Sequence, residues 1–204
     1  LLDDFLATQE NAPSTLVLTS ASSKTAIGLA YMAAQRDGVR VVGLTSAQNT
    51  AFVERLGLYD EVRSYDDVAG LDAAPSAYVD FAGEPELTRQ VHGHLGAHLL
   101  HSVWVGATHW EAAPDALADL PGPPHDVFFA PTYGAKRSGQ LGPGVLAARM
   151  GGAWSRFIGE TEAWLHVLRV RGPEALATVY EATLDGRVMP HEGYVLSLWD
   201  EEGA

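Results

Sequence analysis

Apolar and polar positions come in alternating blocks along this chain, and the blocks predict strands and helices in turn. Residues 16–18 form a short apolar run that ends in small and hydroxyl residues. Residues 24–36 then carry apolar side chains at Ala26, Leu29, Ala30 and Ala33, which is the spacing of one helical face. Residues 39–45 are rich in valine. Since a continuously apolar strand is typical of a sheet covered on both faces, this segment predicts a parallel βαβ unit.

The same alternation continues to about residue 105. It predicts a helix over residues 50–56, strands over 61–64, 77–81 and 98–105, and a helix that begins near Pro85 and ends at Gly96. Pro and Gly then indicate a loop over residues 112–124. Beyond it the pattern predicts a strand at 127–130, helices over 144–169 and 173–184, and an edge strand at 193–199. We therefore expect one Rossmann-like α/β domain, residues 1–204, with a doubly wound parallel sheet and flanking helices.

Composition and charge narrow the class of protein. With 47% hydrophobic and 19% charged residues, the chain is typical of a globular domain. The net charge of -13 argues against nucleic acid or an anionic membrane as the main partner. There is no cysteine, and no apolar run approaches the roughly 18 residues of a membrane span, so a cytoplasmic location is expected. The chain starts without Met in what resembles the end of a helix, which predicts a C-terminal fragment of a two-domain protein.

The turn after the first predicted strand is the candidate phosphate-binding site, because ligands of α/β sheets bind beyond the carboxyl ends of the strands. Its residues are Ser20, Ala21, Ser22, Ser23, Lys24 and Thr25. Hydroxyl residues replace the early glycines of the Gly-x-Gly-x-x-Gly fingerprint, but the amides and the dipole at a helix start would still hold a pyrophosphate. In the alternative interpretation, Ser22 and Ser23 only cap a structural helix. A P-loop fits poorly, since Leu18 and Ser23 stand where that motif needs glycine.

The end of the second predicted strand bears on the choice between NAD and NADP. Domains that bind NAD usually place an acid there for the ribose 2′-hydroxyl. This chain has Thr45, Ser46 and Asn49 instead. The absence of an acid leaves room for a 2′-phosphate and predicts NADP(H), with Lys24 or Arg55 as the candidate positive partner.

The order of segments resembles the cofactor-binding domain of the medium-chain dehydrogenase/reductase superfamily. The resemblance is carried by residues 52–62 (Phe-Val-Glu-Arg-Leu-Gly-Leu-Tyr-Asp-Glu-Val), 78–83 (Tyr-Val-Asp-Phe-Ala-Gly) and 103–106 (Val-Trp-Val-Gly). The whole chain is similar to an uncharacterised bacterial branch, a domain of unknown function, with apparent hallmarks at residues 18–27, 105–111 and 128–137. In this chain the superfamily's Gly-x-Gly-x-x-Gly fingerprint lacks its early glycines.

This resemblance implies a two-part protein whose smaller catalytic domain lies mostly upstream. It implies a zinc-independent reductase of the quinone or enoyl kind, acting on a small-molecule carbonyl or activated alkene. The expected contacts of the nicotinamide end are Ala82, Gly83, Val105, Gly106 and Ala107.

Three residues are candidates for the chemistry. His109 follows the fifth predicted strand and would serve as a proton donor, although it would equally pack beside Trp110. Tyr133 and Lys136 form a Tyr-x-x-Lys pair, one residue shorter than the Tyr-x-x-x-Lys of short-chain dehydrogenases, so that family is rejected. Both remain candidates for contact with the nicotinamide ribose or the substrate.

Four histidines between residues 92 and 101 suggest a metal, but no metal site is predicted. His92 and His94 fall at a predicted helix end, where a cationic imidazole stabilises the helix dipole. His98 and His101 fall on the next strand, beyond Gly96.

The residues Trp154, Phe157 and Trp164 have helical spacing, which predicts core packing or a subunit interface and leaves a homodimer possible. The alternative to a reductase is a degenerate Rossmann module that binds a nucleotide weakly or serves in assembly, without catalysis.

Overall fold

The computed structural model describes residues 12–105, 117 and 119–199. Contacts along the chain divide it into two compact units, Leu1–Ala153 and Trp154–Ala204. The prediction of a single domain over residues 1–204 stays a prediction, and each unit is described by itself.

The first unit is built on six parallel strands. They are β1 (Thr15–Leu18), β2 (Arg40–Thr45), β3 (Glu61–Ser64), β4 (Ser76–Asp80), β5 (Leu99–Trp104) and β6 (His125–Val127). The helices are α1 (Lys24–Ala33), α2 (Thr50–Arg55), α3 (Pro85–Leu95) and α4 (Ala130–Leu141), and α5 (Pro143–Thr161) runs on into the second unit. The spatial order β3-β2-β1-β4-β5-β6 confirms the predicted Rossmann-like α/β fold. The chain reverses its direction of winding between β1 and β4, so ligands of this fold bind at their carboxyl ends.

Side chains of β1 alternate between two apolar layers, as a strand covered on both faces requires. Leu16 and Leu18 pack with Ala30 of α1 on one face of the sheet. Val17 packs with Val91 of α3 on the other. All residues of β1 and β4 are buried. Both central strands are therefore held rigidly beneath their carboxyl-end turns.

The boundaries of α1 follow from local chemistry. Ser23 is its N-cap, and the Ser23 hydroxyl accepts a hydrogen bond from the Ala26 amide at 3.2 Å. The helix ends at Ala33, three residues before the predicted end. The chain then reverses through Gly38, whose φ of 78° lies in the left-handed region that glycine adopts without strain.

Two predicted elements differ from the structure. The predicted helix over residues 144–169 is wrong in its last part, because α5 ends at Thr161 and β7 (His166–Arg171) follows. Residues 166–171 pair in parallel with β8 (Glu192–Ser197), and that ladder outweighs the helical periodicity. The strand predicted at 127–130 lies at His125–Val127, and Ala130 begins α4.

The second unit contains β7, α6 (Pro173–Leu184) and β8. The helix beginning at Pro173 is confirmed. The last strand pairs with β7 in a two-stranded sheet and is not part of the six-stranded one. Trp154 is 62% exposed and its ring lies 6.4 Å from that of Phe157, so core packing was the wrong expectation for Trp154.

Candidate functional site

The turn after β1 is fastened to two neighbouring segments. Ser20 has a φ of 45°, in the left-handed region where the family fingerprint would have glycine. Its amide donates a hydrogen bond to the Tyr65 hydroxyl at 3.2 Å. The Ala21 amide donates to the Leu44 carbonyl at 3.0 Å. The Ser23 amide donates to the Ser20 carbonyl at 2.7 Å, so three amides of the predicted phosphate-binding turn are already used within the protein.

A polar cluster lies where the turn meets the end of β2. The Ser22 hydroxyl oxygen accepts hydrogen bonds from the Asn49 side-chain amide at 3.2 Å and from the Thr45 hydroxyl at 3.4 Å. Ser46 follows and is half-buried. No acidic residue occurs from residue 45 to residue 50. The structure therefore brings together three residues that the sequence assigned to the cofactor, in an uncharged group of hydroxyl and amide side chains.

The positively charged candidates lie on helices beside this cluster in sequence. Lys24 and Thr25 are the first two residues of α1, and both are exposed. Arg55 is exposed in the last turn of α2. That Lys24, Thr25 and Arg55 contact the cofactor stays a prediction.

Tyr59, which the sequence analysis did not single out, holds the turn after β1 by a hydrogen bond. The Tyr59 hydroxyl donates to the Ala21 carbonyl at 2.8 Å, and burial raises the pKa of Tyr59. The ring passes so close to β2 that a Cβ on Gly43 would lie 2.8 Å from it and 2.9 Å from the Ala21 Cβ. Glycine at position 43 is what allows the ring to reach the turn.

Asp80, the last residue of β4, joins the two turns at the switch point. Its Oδ1 accepts hydrogen bonds from the Thr19 hydroxyl at 2.6 Å, the Ala82 amide at 2.9 Å and the Gly83 amide at 3.1 Å. The Thr19 hydroxyl oxygen in turn accepts from the amides of Phe81 and Ala82, at 2.8 and 3.1 Å. Asp80 is only 2% exposed. One buried carboxylate therefore sets the conformation of both loops.

The second oxygen of Asp80 faces a buried histidine. Oδ2 accepts a hydrogen bond from the Thr88 hydroxyl at 3.3 Å and lies 3.8 Å from Nε2 of His125. The Tyr78 ring stacks on the His125 ring, with centroids 5.9 Å apart. Desolvation lowers the pKa of His125, although the charge of Asp80 opposes this. Nε2 of His125 is buried and has no hydrogen-bond partner among the described residues.

The other nitrogen of His125 begins a chain of hydrogen bonds. Nδ1 of His125 and Nε2 of His92 both lie 2.7 Å from the Ser102 hydroxyl oxygen. Nδ1 of His92 lies 2.8 Å from the Pro121 carbonyl oxygen. His92 is fully buried, and desolvation lowers its pKa. The interpretation of His92 as a cationic helix-end residue is therefore wrong, because its ring is enclosed between α3 and β5 and has neutral partners.

Of the predicted site residues at positions 105–109, directly after β5, the structure describes only Val105. Val105 donates its amide hydrogen to the Asp80 carbonyl at 2.7 Å. Gly106, Ala107 and His109 lie outside the described residues.

Tyr133 and Lys136 lie on α4, one helical turn apart. The Lys136 ammonium is 5.8 Å from the centre of the Tyr133 ring, and that ring is 4.5 Å from the Phe128 ring. The pair is thus in contact on α4.

Two further properties of the described residues concern metal binding and membrane spans. No cluster of three or more His, Asp or Glu side chains is placed to hold a metal ion within residues 12–105, 117 and 119–199. No helix in those ranges combines the length and apolar character of a membrane span.

The strand order and the two switch-point turns define a Rossmann-like α/β protein. The chain belongs to the family described as protein of unknown function (DUF2855), whose model matches residues 1–189. No curated protein matches the chain.

Several solved structures share the fold at low identity. CurA from Vibrio vulnificus in complex with NADPH is 17% identical, with a TM-score of 0.61 over 96% of this chain and 59% of that one. The yhdH oxidoreductase from Salmonella enterica in complex with NADP is 16% identical, with a TM-score of 0.57 over 96% and 57%. The complex of Etr1p with NADP and crotonyl-CoA is 12% identical, with a TM-score of 0.54 over 91% and 56%. This chain thus spans less than two thirds of the length of these proteins.

Proposed function

We propose that this chain is the NADP(H)-binding part of a zinc-independent reductase of the medium-chain dehydrogenase/reductase superfamily. The observation that carries the proposal is the acid-free cluster of Ser22, Thr45 and Asn49 at the end of β2. A carboxylate at this place would repel a 2′-phosphate, whereas hydroxyl and amide groups donate hydrogen bonds to it. The solved structures of similar fold that are complexes with NADP or NADPH support the same cofactor.

The start of α1 fits a pyrophosphate next to this cluster. α1 has ten residues, Ser23 caps it, and no acidic residue lies in its first turn. Because protein acceptors already engage the Ser20, Ala21 and Ser23 amides, the proposed phosphate donors are the amides of Ser22, Lys24 and Thr25. The helix dipole and the charge of Lys24 add to this attraction.

The nicotinamide end is assigned to the loop after β4, near Ala82 and Gly83. When bound, the cofactor supplies a hydride to a carbonyl or activated alkene. The chain's own residues bind and orient it: Asp80 fixes the loop amides through Oδ1, and Thr19 ties that loop to the turn after β1. The substrate is a small molecule, and a homodimer and a cytoplasmic location remain part of the proposal.

A Rossmann module without catalysis is the second candidate, and one observation favours it. Ser20 and Ala21 donate their amides to protein acceptors, so fewer donors remain than in a glycine-rich turn. Such a module would bind NADP weakly or with no preference over NAD.

Titration of the protein with NADPH and NADH, followed by energy transfer from tryptophan, tests the proposal. We expect tighter binding of NADPH at the same ionic strength. Ser46→Asp adds a carboxylate at the end of β2 and should weaken NADPH binding more than NADH binding. Ser14→Asp is the matched control, since it adds the same charge at the amino end of β1 and should change neither affinity.

Tighter binding of NADH than of NADPH to the unmodified protein would refute the cofactor assignment. Equal effects of Ser46→Asp and Ser14→Asp would move the 2′-phosphate away from the β2 end. A protein that binds NADPH but reduces no quinone, enal or enoyl thioester, even when extended upstream, would favour the non-catalytic module.

A further inference from the structure

A buried chain of polar groups runs from Asp80 through the side chains of residues 125, 102 and 92 to the Pro121 carbonyl. When both imidazoles are neutral, only one order of donors and acceptors along this chain is possible. A carbonyl oxygen only accepts hydrogen bonds, so Nδ1 of His92 must carry the hydrogen that faces Pro121. Neutral His92 then accepts at Nε2, and the Ser102 hydroxyl donates to it. The Ser102 oxygen accordingly accepts from Nδ1 of His125.

This assignment leaves a conflict at the end of this chain of polar groups. With its hydrogen on Nδ1, neutral His125 presents a bare Nε2 to the Oδ2 atom of Asp80 at 3.8 Å. Both atoms are acceptors, and neither can donate. Among the described residues no other hydrogen-bond partner lies within reach of the buried Nε2.

A single added proton resolves the conflict wherever it enters. If it binds Nε2 of His125 and stays on that ring, Nε2 gains a hydrogen that points at Asp80. Alternatively, the Nδ1 hydrogen of His125 passes to the Ser102 oxygen while the Ser102 hydrogen passes to Nε2 of His92, which leaves a neutral His125 with its hydrogen on Nε2 and a cationic His92. Both singly protonated states place an N–H group opposite Oδ2, and only hydrogens move.

We propose that His92, Ser102 and His125 form a proton-responsive relay that acts on Asp80 and so regulates the loop of Ala82 and Gly83. Protonation places a positive charge and a donor at Oδ2 of Asp80. This draws electron density from Oδ1, which holds Thr19 and both loop amides. The loop is firmly held when the relay is neutral and is loosened when it is protonated. His125 is a positioning residue in this scheme.

The groups that face the relay act on its protonation in opposite directions. On β4 they are Asp80 and Tyr78, and on α3 His92 faces His125 edge-on at 5.8 Å. Asp126 adjoins His125 on β6 and favours its protonated form, as Asp80 does. Burial opposes protonation of both imidazoles, which lowers the pKa of each below the usual 6.5.

Nitrogen-15 NMR of the protein without nucleotide tests the relay. At about pH 8 we expect both His92 and His125 to carry their hydrogen on Nδ1, although free imidazole prefers the other tautomer. On acidification, the protection factors of the Ala82 and Gly83 amides, corrected for intrinsic exchange, should fall by up to about tenfold with the midpoint of the imidazole titration. A hydrogen on Nε2 of His125 at high pH, or loop amides that ignore the titration, would overturn the proposal.

Three variants separate the relay from general destabilisation. His125→Gln places an amide N–H near Asp80 at every pH and should abolish the pH response of Ala82 and Gly83. Ser102→Ala leaves both rings intact but cuts the link, so protonation of His92 should no longer reach the loop. His94→Gln, on the same helix but bonded to the Leu71 carbonyl, is the matched control and should keep the response. A response that survives His125→Gln would refute the relay, and a response in Ser102→Ala that follows the titration of His92 would refute the link through Ser102.

The consequence for the cofactor rests on the function proposed above. NADP+ affinity should fall on acidification with the relay's midpoint in the unmodified protein, and more steeply than in His125→Gln. The titrating 2′-phosphate contributes equally to both proteins. An equal pH dependence in the two would overturn this consequence. A protein that shows the loop response but binds no nucleotide would refute the proposed function and leave the relay standing.

Discussion

Removal of the Asp80 carboxylate tests whether one buried side chain holds both switch-point loops. Asp80→Ala deprives four donors of an acceptor: the hydroxyls of Thr19 and Thr88 and the amides of Ala82 and Gly83. Two of these keep a second partner, since Ala82 also donates to Thr19 and Thr88 lies 3.3 Å from the Tyr78 hydroxyl. The Gly83 amide is left without one, and the Thr19 hydroxyl keeps only the Tyr78 hydroxyl as a neighbour.

The cost follows from the bonds that Thr19 and Gly83 lose. A buried donor that loses its partner costs roughly 1–3 kcal/mol, and less where the group is half-buried, as Gly83 is, so Asp80→Ala should lower the free energy of unfolding by about 3 kcal/mol. Asp80→Asn keeps a carbonyl oxygen for Thr19, Ala82 and Gly83, and its amide can donate to the bare Nε2 of His125. It loses the negative charge that strengthens these bonds, and the Thr88 hydroxyl loses its acceptor but keeps the Tyr78 hydroxyl beside it, so this variant should cost about 1–2 kcal/mol.

Urea unfolding followed by fluorescence and far-UV circular dichroism measures these differences, and coincident transitions justify a two-state treatment. Asp72→Ala is the matched control. Asp72 is 68% exposed and pairs with Arg40 at 2.6 Å, so its loss should cost less than about 1 kcal/mol. If Asp80→Ala costs no more than Asp72→Ala, or if Asp80→Asn costs as much as Asp80→Ala, the role assigned to Oδ1 is wrong.

Three further changes have defined outcomes. Gly43→Ala places a Cβ 2.8 Å from the Tyr59 ring and should destabilise the protein by about 1–3 kcal/mol in urea unfolding; a smaller cost in a Tyr59→Ala background is the confirming sign. Ser23→Glu should weaken NADPH binding by like charge while the fold survives; unchanged affinity in a folded variant would contradict the placement of the pyrophosphate. Burial lowers the pKa of His92, His101 and His125, so the unfolded chain binds more protons below about pH 6.5 and stability should fall as the pH drops through that value; a flat profile from pH 8 to 5 would contradict this sign.

The part of the site that the sequence predicts is the part built from local signals. Ser22 lies just before α1, and Thr45 and Asn49 lie at and just after the end of β2. The carboxyl ends of adjacent parallel strands meet at one edge of a sheet, so recognition of two strands and one helix is enough to bring these three residues together.

The interaction of Asp80 with Thr19 depends on information that the local pattern does not contain. The two residues are 61 positions apart, and they meet because β1 pairs with β4 with Leu18 opposite Val79. Likewise, Ser102 meets His125 only because these residues are direct partners in the β5–β6 register. A shift of one residue would turn either side chain to the other face of the sheet.

The end of α5 was missed for another physical reason. Residues 161–171 keep enough apolar positions to continue a helical stripe, and β7 exists because β8 supplies its hydrogen-bond partners about 26 residues later, with His166 opposite Glu192. Short apolar runs are ambiguous between helix and strand until such a partner is known.

The burial of His92, by contrast, is present in the helical pattern. Thr88, Val91, His92 and Leu95 occupy positions i, i+3, i+4 and i+7 of α3, which is the spacing of one face, and all four are buried. A histidine within a buried stripe needs hydrogen-bond partners, because an unpaired polar group in the core costs roughly 1–3 kcal/mol. Ser102 and Pro121 supply them. For His92, its position on the buried face of α3 was thus more informative than its position near the end of the helix. The burial of His125 could not be predicted in this way, because it depends on the register in which β6 pairs with β5.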